Sequence, residues 1–77
     1  MAEELTQDEL VEKAKQYLKV TYGEDTISMD VLDDTVTDGS GQLSVQCTVS
    51  WRGQRSNWRK VFYFENGVVA NMSARQI

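Results

Sequence analysis

Residues 51–60, WRGQRSNWRK, contain the side chains with the clearest binding chemistry in this sequence. Arginine and lysine neutralise phosphates, and tryptophan rings stack on nucleic-acid bases. Trp51, Arg52, Arg55 and Trp58 bring both kinds of group to a predicted hairpin tip. The stretch therefore predicts single-stranded nucleic-acid binding as one candidate function. A tip that contacts an acidic protein surface, or the chain's own helix, is the favoured interpretation.

Side chains suited to catalysis are scarce. The chain has no histidine, which excludes Ser-His and Cys-His nucleophiles and histidine-ligated metal sites within one chain. Cys47 falls on the apolar side of an alternating run, so we predict a small buried core residue rather than a nucleophile. We therefore predict that the protein is not an enzyme, with no catalytic residue and no cofactor.

An acidic cluster is the place where metal-binding oxygens gather. Asp30, Asp33, Asp34 and Asp38 offer the carboxylates that Ca²⁺ or Mg²⁺ prefers. The order DVLDDTVTDG lacks the alternate acids and the distal glutamate of an EF-hand loop. We predict no metal site, and we interpret the cluster as a solvated edge whose charges deter sheet-to-sheet aggregation.

The elements that position these groups begin with a helix. Thr6 fits the N-cap, and Glu9 completes a capping box with it, so the helix should start at about residue 7. Leu5 and Leu10 form a hydrophobic staple across this start, and Gly23 supplies the stop. Apolar residues between these signals recur at three- and four-residue spacing, which predicts an amphipathic helix that covers one sheet face.

After the helix, apolar and polar residues alternate with a period of two, which predicts strands. The first strand runs from Thr26, and its alternation breaks at Asp33-Asp34, which indicates a bulge or an early strand end. The segment TDGSG, residues 37–41, is a predicted turn. Residues 43–51 alternate apolar and polar side chains throughout, and they predict the cleanest half-buried strand in the chain.

Asn66-Gly67 is the strongest hairpin signal. This dipeptide tolerates the two positive φ values of a type I′ turn, and β-rich runs at 58–64 and 68–72 flank it. A two-residue turn here places Val61 opposite Met72. Both faces of the hairpin then carry large apolar groups, so both need another element packed against them. The chain offers one predicted helix, which can bury only one face.

The loop before this hairpin decides which of its faces joins the core. The segment RGQR predicts a turn with Gly53-Gln54 as a two-residue type II′ loop. An even loop puts the apolar side chains of residues 43–49 on the face of Phe62 and Phe64, whereas an odd loop selects the opposite face. We favour the even loop because it buries the larger aromatic rings.

The predicted fold is α+β: one N-terminal helix packed on a four-stranded antiparallel β-meander, in the order α-β-β-β-β, as a single small domain over residues 1–77. No motif ties this plan to a particular family. The sheet face that the helix leaves open is a predicted partner-binding surface, because contiguous exposed apolar patches usually mark interaction sites. Its residues are Arg59, Val61, Tyr63, Val68 and Met72.

Charge is distributed unevenly along the chain, whose net charge is −4. Residues 1–38 hold eleven acids and three lysines, whereas residues 39–77 hold one acid, four arginines and one lysine. An acidic helix and first strand beside a basic sheet edge explain this pattern within one molecule, and a polarised surface that selects a charged partner is the alternative. The acidic start and the lack of a long apolar run favour a cytoplasmic protein without a membrane partner.

Three functions are compatible with these residue patterns and charges. The leading one is a non-catalytic protein-interaction domain that binds a protein partner, or forms a homodimer, through the open sheet face. The second is single-stranded nucleic-acid binding through the tip at residues 51–60. The third is a small acidic inhibitor of the phage type, whose helix and first strand imitate the phosphates of nucleic acid.

Overall fold

The computed structural model describes residues 5–77 as one helix followed by a four-stranded sheet. The elements are α1 (Gln7–Tyr22), β1 (Asp25–Asp34), β2 (Gly41–Trp51), β3 (Gln54–Glu65) and β4 (Val68–Gln76). All neighbouring strands pair antiparallel in the order β1-β2-β3-β4. The predicted α-β-β-β-β architecture is confirmed. Residues 1–4, part of the acidic start used above, lie outside the described residues.

The helix begins and ends at the predicted signals. The Glu9 backbone N–H donates to Thr6 Oγ1 over 3.2 Å, and the Thr6 N–H donates to Glu9 Oε1 over 3.1 Å, which completes the capping box. Gly23, with φ 71°, closes the helix in the left-handed region. Among residues 5–77, no helix is long and apolar enough to cross a membrane.

The core lies between α1 and the two central strands. Its fully or nearly fully buried apolar side chains are Leu10, Ala14, Leu18, Leu43, Val45, Cys47, Val49, Phe62 and Phe64. The apolar side of β2 therefore shares a face with the large aromatics of β3, and that prediction is confirmed. Because this core uses only one face of the sheet, the opposite face is left to solvent.

The turn between β2 and β3 differs from the predicted loop by one residue. Arg52 and Gly53 form it, with φ values of 51° and 79°, and Trp51 pairs with Gln54. Two consecutive positive φ values are those of a type I′ turn, so the predicted type II′ loop at Gly53-Gln54 is wrong. The loop is still two residues long, and for that reason the strand faces are as predicted.

A bulge in β4 changes the predicted register of the last hairpin. Phe64 pairs with Val69, but Tyr63 pairs with Asn71, so Ala70 is an extra residue without an opposite partner. Beyond it, Met72 lies opposite Phe62 instead of Val61, and the predicted Val61–Met72 pairing is wrong. The shift by one residue turns the Met72 side chain to the helix side, where it packs against the core.

The first strand is continuous through Asp34 but carries two irregularities. Register shifts between Thr26 and Ser28 and between Val31 and Asp33 leave Ile27 and Leu32 as extra residues. The predicted irregularity is therefore real, although it falls one residue before the aspartates and the strand continues past it. Both extra side chains are exposed, because a bulged residue leaves the alternation of the strand.

Candidate functional site

The five residues of the predicted partner-binding face do not form one surface. Arg59, Val61 and Tyr63 lie on the sheet face opposite α1, with the two apolar side chains half-buried. Met72 lies on the helix side, for the reason given above. Val68 lies at the start of β4, where it lines a groove against the helix. The bulge in β4 thus divides the predicted surface.

The open face that remains is mostly polar. The positions around Val61 and Tyr63 on this face carry hydroxyls and amides, and the Tyr63 hydroxyl lies 3.5 Å from Ser73 Oγ. Neighbouring side chains on the same face are Ser44, Gln46, Thr48, Asn71 and Ser73. Water solvates such a face at little cost, so it is not the broad apolar patch expected from the sequence.

The hairpin tip separates the residues that the sequence interleaves. Trp51 and Trp58 both lie on the helix side, because β2 and β3 alternate and Cys47 faces Trp58. Trp51 is exposed and stacks under the Arg52 guanidinium, 4.6 Å from the ring centre. Arg55 points to the opposite face. The tip therefore does not offer tryptophan rings and all of its cations on one surface.

The indole of Trp58 is already engaged within the domain. Its Nε1 donates to Ser56 Oγ over 2.8 Å, and the Lys60 ammonium lies 5.1 Å from its ring centre. Lys60 itself is buried, 3% exposed, and binds Glu24 Oε1 over 2.7 Å. Burial of Lys60 was not predicted from the sequence. The signal was its position between Trp58 and Phe62 in the alternation, on the side assigned to the core.

The two edges of the sheet are protected very differently. β1 carries two bulges and the acids Asp25, Asp30, Asp33 and Asp34, which together discourage another strand from pairing with it. The helix is also tied to this edge at both ends, by Lys19 Nζ to Asp25 over 2.8 Å and by Gln7 to Asp34 over 3.4 Å.

The β4 edge is protected less than the β1 edge. Residues 68–74, VVANMSA, contain no charged side chain, and the strand has one bulge, at Ala70, and one charge, at Arg75. Uncharged edge strands present unpaired N–H and C=O groups as a template for another strand.

Comparison of the chain with protein-family models, curated proteins and solved structures finds no match. The candidate site therefore follows from this geometry alone.

The outward backbone groups of β4 can be assigned from one hydrogen bond. The Met72 N–H donates to Asn71 Oδ1 over 2.9 Å, so it is not part of the ladder to β3. In an antiparallel pair, alternate residues direct both backbone groups to the same neighbour. Met72, Ala74 and Gln76 therefore direct their backbone groups to the open edge. The Asn71 side chain accepts a hydrogen bond from one of these donors, the Met72 N–H.

An apolar groove runs beside this edge, between α1 and β4. Val20 is 78% exposed and Val68 is 58% exposed, and both line the groove with the partly buried Tyr17 and Val69. The groove lies beside the start of β4 and is continuous with the edge of that strand. The edge and the groove therefore form one surface, which we call the β4 surface: residues 68–76 of β4 with Tyr17 and Val20 of α1.

Groups for metal binding or nucleophilic chemistry do not gather in residues 5–77. No cluster of three or more Asp, Glu, His or Cys side chains in this range is placed to hold a metal ion. Cys47 is buried in the core, and burial raises the pKa of its thiol.

Proposed function

We propose that this protein is a non-catalytic protein-interaction domain that forms a homodimer through the β4 surface. The observation that carries the proposal is the contrast between the edges: β1 has bulges and acids, whereas residues 68–74 of β4 have no charge. Natural sheets usually protect their edges, so an unprotected one marks a site of strand pairing. Pairing would continue the sheet across two molecules.

A second copy of the chain fits this edge by its own composition. Two β4 strands that pair antiparallel about a twofold axis bring residues 72–76 of the two copies together, and the one charged side chain of this run, Arg75, lies on the open sheet face, where water still solvates it. An axis perpendicular to the sheet keeps both helices on the same side.

The bulge at Ala70 limits where the new ladder can form. Regular pairing needs an uninterrupted run of outward groups, and this run begins after the bulge, at Met72, and continues through Ala74 to Gln76. Asn71 must release the Met72 N–H before a partner carbonyl accepts it. The dimer is therefore expected to be weak and reversible, with its strand contacts concentrated in residues 72–76.

Sedimentation equilibrium of the full chain and of Ala74→Pro tests the proposal. Proline removes the outward N–H of residue 74 but leaves the ladder bonds to β3 intact, so the variant should fold and remain a monomer up to about 1 mM. The matched control, Ala74→Val, keeps this N–H and should dimerise as the parent does. Circular dichroism and urea unfolding establish that both variants are folded.

Two results would contradict the proposal. One is a parent protein that stays monomeric up to about 1 mM, since a dissociation constant well above that level corresponds to association weaker than about −4 kcal/mol. The other is an Ala74→Pro variant that is folded and dimerises as the parent does, which would place the interface elsewhere. Amide hydrogen exchange adds a local readout: the Ala74 and Gln76 amides should gain protection as concentration rises.

A further inference from the structure

Two arginines stand directly opposite each other on the open sheet face. Arg59 of β3 pairs with Arg75 of β4, and both side chains are exposed. Neither makes an ion pair with an acid among residues 5–77. Like charges opposite each other in an antiparallel pair destabilise a sheet. A bound anion between the two guanidinium groups would convert this repulsion into attraction.

The same half of the face holds further groups that suit a polyanion. Arg55 lies four residues before Arg59 on β3, and Tyr63 lies four residues after it, so the three are spaced by about 13 Å along one strand. All three have the same parity and therefore share the open face. Asp30 and Asp33 of this face stand on β1, about 10 Å from β3, whereas Glu65 stands at the far end of β3 from Arg55, two residues after Tyr63.

We propose that the β3–β4 half of the open face binds single-stranded nucleic acid. Arg59 and Arg75 together hold one phosphate, because each guanidinium group can donate two parallel hydrogen bonds to phosphate oxygens. Arg55 contacts a second phosphate along β3. The half-buried Tyr63 ring provides a surface on which a base stacks. The amide of Gln46, in the same row as Arg59, offers hydrogen bonds to base edges.

This site is distinct from the hairpin tip and from the β4 surface. Trp51 and Trp58 lie on the helix side, so an oligonucleotide on the open face should leave their fluorescence nearly unchanged. The tip mechanism expected from the sequence requires strong quenching. Strand pairing at β4 uses the backbone of residues 72–76, whereas this site uses side chains perpendicular to the sheet, and Ala74→Pro should bind the oligonucleotide as the parent does.

Fluorescence anisotropy of a labelled oligothymidylate tests the inference. For the two phosphates that the arginines neutralise, the affinity should fall by about 7-fold between about 50 and about 200 mM salt. The double variant Arg59→Gln/Arg75→Gln should bind more weakly and lose about half of this salt dependence. Tyr63→Leu should lower the affinity by about tenfold without changing the salt dependence.

The control variant is Arg52→Gln, which removes the same charge from the tip. It should retain nearly the parent affinity, because Arg52 stacks on Trp51 away from the open face. Equal losses in Arg52→Gln and in single Arg59→Gln would overturn the assignment of the site. A polyglutamate peptide of the same charge should bind much more weakly, and equal binding would overturn the nucleic-acid assignment. Absence of oligothymidylate binding at low salt would overturn both.

Discussion

Lys60 Nζ lies 2.7 Å from Glu24 Oε1, and water reaches little of either side chain, with exposures of 3% and 15%. The rings of Tyr22 and Trp58 flank the ammonium at 5.8 and 5.1 Å. The pair joins the segment after α1 to the middle of β3. Because its charges are buried, its energetics differ from those of the surface pairs.

Glu24→Gln should lower the free energy of unfolding by about 3 kcal/mol, because it leaves the Lys60 charge buried without its counter-charge. Lys60→Met should cost less, because methionine fits the apolar site and the freed Glu24 is close to solvent. Urea unfolding of both single variants and of the double variant measures the coupling.

The matched control is the Lys19–Asp25 pair, which has nearly the same length, 2.8 Å, but exposures of 60% and 66%. Asp25→Asn should cost less than about 1 kcal/mol, because exposed ion pairs contribute little. Equal losses in Glu24→Gln and Asp25→Asn would show that burial does not govern the stability of the Lys60–Glu24 pair.

Deletion of Ala70 should be tolerated, with the free energy of unfolding changed by less than about 1 kcal/mol. Ala70 is the extra residue of the bulge, so its removal lets Asn71 follow Val69 in a regular ladder and leaves Met72 opposite Phe62. Urea unfolding and an NMR contact between the Met72 methyl and the Phe62 ring are the measurements.

Deletion of Ser73 is the control for this experiment. It forces either Met72 or the residues after it onto the wrong face, so it should cost at least about 2 kcal/mol. If the two deletions destabilise equally, the bulge is not at Ala70.

Gly39→Ala should destabilise the domain more than Gly53→Ala. Both glycines have nearly the same positive φ, 81° and 79°, so both substitutions carry a similar backbone strain of about 1 to 2 kcal/mol. A Cβ on Gly39 would also lie 2.7 Å from the Gly67 nitrogen, which donates to the Gly39 carbonyl over 2.9 Å. A Cβ on Gly53 meets no atom within 4 Å.

Thermal unfolding of the two alanine variants measures this difference. We expect Gly39→Ala to be less stable by at least about 1 kcal/mol beyond the shared strain, because contact between the two turns is lost. A smaller loss than in Gly53→Ala would mean that the contact between Gly39 and Gly67 does not stabilise the fold.

Stability should fall more steeply at alkaline pH in the parent than in Cys47→Val. Burial is the main cause that raises the pKa of the Cys47 thiol above its ordinary 9.0, with Lys60 opposing the shift and Glu24 adding to it. The unfolded chain therefore releases this proton before the folded protein does. The contribution of the protonated Cys47 thiol to the free energy of unfolding is complete below pH 9.0, and it is lost as pH rises through the pKa of this thiol in the folded protein.

Urea unfolding of both proteins at about pH 7 and about pH 10 measures this effect. The comparison isolates Cys47, because the other titrating groups are common to both proteins. Parallel losses of stability in the parent and in Cys47→Val would show that the thiol ionises equally in the folded and unfolded states.

Local patterns predicted much of this fold. The capping box at Thr6 and Glu9, the stop at Gly23 and the turn at Asn66-Gly67 all depend on groups within a few residues of one another. The alternation of residues 43–51 likewise predicted the core strand, because burial of one face imposes a period of two. Of the residues that line the groove beside β4, the sequence-based prediction named Val68 but not Tyr17 or Val20 of α1.

Tertiary structure decided the features that depend on a shift by one residue, namely the position of the β2–β3 turn and the register of β4. Type I′ and type II′ turns at Arg52-Gly53-Gln54 have the same length, so the sequence could not fix which pair of residues forms the turn. The bulge at Ala70 has no local signal, because it depends on whether Met72 gains more by packing against the core than by facing solvent.

The sequence by itself therefore determined the order of elements, their ends and the face of β2 that is buried. The tertiary structure determined which surfaces exist: it separated the tryptophans from Arg55, buried Lys60 against Glu24 and left the β4 edge less protected than the β1 edge. The physical reason is range. Caps and turns are set by neighbours in the chain, whereas a surface is set by side chains that meet only after strands have paired.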